Sequence, residues 1–143
     1  MESLHPLLVH FPIALLLTAA LSELAALAWP RPALHVVSLW NLALGTAGAA
    51  AAVLSGLRAE AVAKHSFEIW QVMQLHKRLG ILTLIVGLGV VAWRLAHRDH
   101  LRRRERLLTV AATLLLCGTL AWGAHLGGRL VYEFGVGGTF GIR

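Results

Sequence analysis

The sequence predicts an all-α protein: a four-helix transmembrane bundle, up-down-up-down, with a polar connection between its second and third helices on the outer side. Three observations carry this. The composition is 57% hydrophobic and 14% charged with a mean hydropathy of +0.70, where soluble domains carry about 25% charged residues. Four apolar runs, Pro12 to Trp29, Leu34 to Leu57, Leu79 to Trp93 and Leu107 to Leu126, approach or exceed the roughly 20 residues of a bilayer crossing. Between them lie prolines and clustered charges, where a chain leaves the membrane and turns. At 143 residues the chain reads as a single integral membrane domain over 1–143.

The first helix is expected at about 6–29. Pro6 suits a first helical turn, and Pro12 either starts the true span or kinks it. With no basic residue in Met1-Glu2-Ser3, the run reads as a retained helix rather than a signal peptide. Pro30-Arg31-Pro32 ends it. The second helix, about 33–64, carries a stripe of small residues that includes Gly45, Gly48, Ala52 and Gly56. A polar stretch with Glu60, Lys64, His65 and Glu68 follows, with a turn near Ser66. The third helix, about 67–97, includes Leu75-His76-Lys77-Arg78-Leu79-Gly80. From His76 at 100° per residue, Gly80, Thr83 and Gly87 return to one face within roughly 40°. Such a stripe either admits another helix closely or leaves room for something flat and large. A short basic loop leads to the fourth helix, about 103–132, and the glycine-rich end from Gly135 is unsuited to helix.

Six arginines lie between Arg94 and Arg106, and Arg31 lies in the other short loop on that side. The positive-inside rule makes this the cytoplasmic face and puts both termini in the periplasm of a bacterial inner membrane. The formal charge of +6 does not point to nucleic acid, because the basic residues flank spans rather than forming one soluble face. The single cysteine, Cys117, lies mid-span and reads as a small core residue.

The chemistry-bearing residues gather at the outer side. His5, His10, His65, His76 and His125 all fall there. His10, His76 and His125 each lie about 27 Å from the inner boundary, counted from Trp29, Arg94 and Leu107 at 1.5 Å per residue. His125 heads a second small stripe, Ala121 and Gly118 with Trp122 beside it, and His10 shares its face with Ala14 and Thr18. Histidines at a membrane edge are costly unless satisfied, and so point to function. One reading is b-type haem with two axial histidines. His76 and His125 are the first choice of ligands and His10 follows, with Arg129, Lys77 and Arg78 placed to neutralise propionates. A second reading is a single transition metal ion, copper, zinc or iron, on His76, His125 and His10 with His5 or Glu60 added. The third is a cofactor-free scaffold whose histidines satisfy one another, Glu60, Glu68 and water. Glu23, inside the first span, is a proton or quinone-pocket candidate, or pairs with Arg31, Arg94 or His35.

The opening His5-Pro-Leu-Leu-Val-His10-Phe-Pro-Ile-Ala resembles the hallmark of a bacterial family of small four-helix membrane proteins, domain of unknown function 2231. Leu75-His76-Lys-Arg-Leu-Gly80 and Ala124-His125-Leu-Gly-Gly-Arg-Leu-Val-Tyr-Glu-Phe-Gly-Val-Gly138 agree with it. The family name carries no activity. Its arrangement is similar to that of membrane b-type cytochromes, which implies haem b at His10, His76 or His125. Cytochromes with two haems place histidines near both faces of the bundle, and one well-furnished level here implies one haem. The expected function is electron transfer between a quinone or membrane partner and a periplasmic redox protein, by a carrier or subunit rather than a stand-alone enzyme. Gly123 and Gly127 form a small-xxx-small pair, used more often in packing than in homo-oligomers.

Overall fold

The computed structural model describes residues 5–62, 66–97 and 101–136. His65, Lys64 and His100, with the glycine-rich end from 137, lie outside the described residues. Five helices follow in order: α1 (His5–Leu8), α2 (His10–Ala28), α3 (Pro32–Val62), α4 (Phe67–Ala96) and α5 (Arg103–Tyr132). The last four are long and apolar enough to cross a membrane. α2 packs on α3, α3 on α4 and α4 on α5, and α5 closes back on α2. The predicted four-helix, up-down-up-down bundle is therefore present.

The first helix differs from its expected form, being broken at Val9. Pro12 has no N–H for the Leu8 carbonyl, and its ring crowds that carbonyl. The ladder resumes as Ile13 N–H donates to Val9 at 3.4 Å. His5 thus sits on a separate single turn that packs against α3. Pro32 opens α3 at a position where its missing N–H costs nothing. Ser66 caps α4, its Oγ accepting from Ile69 N–H at 3.4 Å. The backbone N–H of Arg102 donates to Glu105 Oε2 at 2.7 Å at the start of α5. Gly135, at φ +66°, turns the chain after α5 so that Val136 N–H reaches the Leu130 carbonyl at 2.8 Å.

The buried centre is small: Leu16, Ala19, Leu42, Val90 and Leu116. Leu21, Leu44, Ile85, Leu88 and Leu115 point outward, as befits a surface solvated by lipid. Most small residues facing inward are used for close approach. A Cβ on Gly45 would lie 2.8 Å from the Leu16 side chain, and one on Gly87 would lie 2.7 Å from Thr46 Oγ1. Interior hydroxyls are satisfied within the bundle. Thr83 and Thr119 share a hydrogen bond of 3.0 Å, and Thr113 donates to the Thr109 carbonyl at 2.9 Å.

Candidate functional site

Two polar centres stand at opposite ends of the bundle. At one end, α1 presents His5 and α4 presents His76, with ring centroids 6.1 Å apart and planes at 82°. His76 Nδ1 lies 2.8 Å from the Gly123 carbonyl of α5. A carbonyl only accepts, so this nitrogen carries the proton. His5 Nδ1 lies 2.9 Å from Ser55 Oγ of α3. The Ser55 hydroxyl already donates to the Ala52 carbonyl at 2.9 Å, so His5 Nδ1 donates as well. Each neutral ring therefore keeps its lone pair on Nε2.

Glycine makes this arrangement possible. A Cβ at Gly56 would lie 3.1 Å from His5 Cε1, and one at Gly127 would lie 3.1 Å from His76 Cε1. The imidazoles occupy the notches that these residues open. Burial, and then the charge of the neighbouring His76, holds the His5 pKa below its ordinary value, partly offset by a backbone hydrogen bond at Ala52. Alongside, Lys77 Nζ reaches Glu60 Oε1 at 2.7 Å, and Gln74 Nε2 donates to the same oxygen at 2.7 Å.

The other expected residues are placed differently. On α5, His125 lies 200° from Gly123, the residue that faces His76. It is exposed, its ring 5.8 Å from that of Trp122, and Ala121 and Gly118 are exposed with it. His10, Ala14 and Thr18 likewise form an exposed face of α2. Of the three stripes headed by histidines, only that of His76 turns inward, and the histidine that joins it is His5. Arg129 pairs with Glu133 on its own helix at 2.9 Å, and Arg78 is exposed. Among the described residues, no three His, Cys, Asp or Glu side chains converge as a metal-ligating group.

The opposite end holds a buried ionic network. Arg94 Nη1 donates to Glu23 Oε1 at 2.6 Å and to Ser38 Oγ at 2.9 Å, and Nη2 donates to the His35 carbonyl at 2.9 Å. Ser38 Oγ donates to Glu23 Oε1 at 2.7 Å, and the Arg106 guanidinium meets the His35 ring. All four long helices contribute. Glu23 thus takes one of the partners its sequence position offered, Arg94. His35, also named there, enters through its carbonyl to Arg94, while Ser38 and Arg106 had no pattern in the sequence beyond their nearness to helix ends.

Residues 1–139 match the family described as predicted membrane protein, DUF2231. No curated protein and no solved structure matches the chain.

Proposed function

The chain belongs to the DUF2231 family of predicted membrane proteins, a description that fixes the membrane and leaves the chemistry open, and from its own geometry we propose that it is a metal-dependent electron carrier whose ion sits between His5 and His76. The observation that carries this reading is the fixed tautomer of both rings. Each Nδ1–H is spent on a protein acceptor, the arrangement by which proteins hold a ligating imidazole and present its other nitrogen. Two imidazoles on one ion at about 2.0–2.1 Å per bond have centroids between about 5 Å for tetrahedral and about 6.4 Å for trans ligation, and the 6.1 Å seen here is compatible with a wide ligand angle. Imidazole suits copper, iron and zinc; electron transfer requires copper or iron. The basic loops at the opposite end support a periplasmic side for this one, where a soluble redox protein would meet it and a quinone would approach from the bilayer.

Haem b on the same two nitrogens is the second reading, favoured by the same spacing. It also needs a porphyrin-sized slot, and the glycines nearest the rings, Gly56 and Gly127, are filled by the rings themselves. The smaller ion is therefore preferred. Detergent-purified protein analysed for metal, with absorption spectra before and after dithionite, separates the two. About one copper or iron per chain is expected, lost in His5→Ala and His76→Ala and kept in His125→Ala. A Soret band at about one haem per chain transfers the site to haem. Equal metal content in all three variants sinks the site.

A further inference from the structure

At the end opposite the imidazole pair, the α2–α3 turn borders an open surface cleft of about 430 Å³ lined by Ala25, Trp29, Arg31 and Leu34. We propose that this cleft is a binding site for one anionic phospholipid, with its phosphate on Arg31 and an acyl chain running down the seam between α2 and α3. The proposal is independent of the metal reading.

The argument begins with the backbone. Arg31 stands between Pro30 and Pro32. A proline fixes its own φ and holds the preceding residue extended, so this arginine is presented on a stiff segment. Its N–H donates to the Trp29 carbonyl at 2.7 Å and its carbonyl accepts from Leu34 N–H at 3.0 Å, which closes the turn. Its side chain is exposed, and among the described residues no carboxylate pairs with it. Trp29, 64% exposed, stands beside it, the residue type that settles at the headgroup level. Below them the wall is Ala25 and Leu34, apolar and suited to a hydrocarbon chain.

The surrounding charge selects the headgroup. Arg102, Arg103 and Arg104 are exposed at the same end. The carboxylates described there are committed: Glu23 to Arg94, and Glu105 to the first turn of α5. A cluster of cations at the membrane surface attracts anionic lipid. A zwitterionic headgroup brings its own ammonium to the same arginine and gains less.

The test is native mass spectrometry of the full chain from micelles doped with equal amounts of phosphatidylglycerol and phosphatidylcholine. One retained phosphatidylglycerol per chain is expected. Arg31→Gln should lower its retention about fivefold, and Arg31→Lys should keep most of it. Ala25→Phe, which fills the cleft without changing charge, should lower it too. Arg102→Gln, an equal loss of charge outside the cleft, should lower it far less than Arg31→Gln does. Equal retention of the two lipids overturns the site, as does an Arg31→Gln variant that holds phosphatidylglycerol like the parent. Equal losses in Arg31→Gln and Arg102→Gln would assign the effect to general surface charge and overturn it as well. Circular dichroism and gel filtration of each variant confirm that folded proteins are compared.

Discussion

Arg94 Nη1 lies 2.6 Å from Glu23 Oε1, an ion pair between residues 71 apart in sequence with side chains 1% and 3% exposed. Within a bilayer neither charge has water to fall back on, so each is tolerable only because the other is present. Ser38 completes the shell by bonding both partners. The pair ties the end of α2 to the end of α4, helices that face each other across the ring of packed neighbours.

Glu23→Gln or Arg94→Met alone strands a buried charge and should lower stability by about 3–5 kcal/mol. The joint change Glu23→Leu with Arg94→Met should recover most of that loss, because it removes both desolvation costs together. Unfolding of the detergent-solubilised variants measures this. Single variants as stable as the parent would show that the pair does not tie these helices.

Ser55 sets the tautomer of His5, since its own proton is engaged by the Ala52 carbonyl. Ser55→Ala removes that acceptor while His5 remains. Metal affinity should fall by about 10–100-fold, the usual cost of losing such a partner, and Ser55→Thr should restore it. Isothermal titration with copper or iron reads the effect, and unchanged affinity in Ser55→Ala would remove the serine from the site.

Burial, and then His76, depresses the His5 pKa in the folded protein. Below the ordinary pKa of about 6.5, the unfolded chain therefore binds more protons than the folded one. Stability supplied by neutral His5 is present above that value and drains away as the pH falls from it towards the lower folded pKa. Thermal unfolding of chelator-treated protein at pH 7.5 and 5.0 should show the acid loss, and His5→Gln should flatten it. A parent protein equally stable at both values would contradict the assignment.

That His5 and His76 lie at one end of the bundle was legible in the sequence, and the direction of the histidines was not. Counting residues from span ends works because a helix rises by a fixed amount per residue. Direction is read from a contrast between polar and apolar faces, and a membrane helix offers little: lipid is as apolar as the bundle interior. His76, His125 and His10 all head stripes of small residues, and of these only the first turns inward. A partial signal existed for His5, because Pro12 had already marked a helix break, and a separate first turn can aim its residues independently of α2. The turn at Ser66, the Pro30-Arg31-Pro32 corner and the start of α5 follow local chemistry and stand where it put them. Glu23 announced itself as a charge in an apolar run, while its full set of partners required the packed bundle.

The break at Val9 has a mechanical consequence for the imidazole pair. His76 is built into a 30-residue helix and braced against α5, so it behaves as the stationary jaw of a vice. His5 rides on the single turn before the hydrogen bond that Pro12 cannot make, and the Ser55 hydrogen bond latches it to α3. It is the second jaw, and the opening between them is set by the hydrogen bond each ring makes to a neighbouring helix.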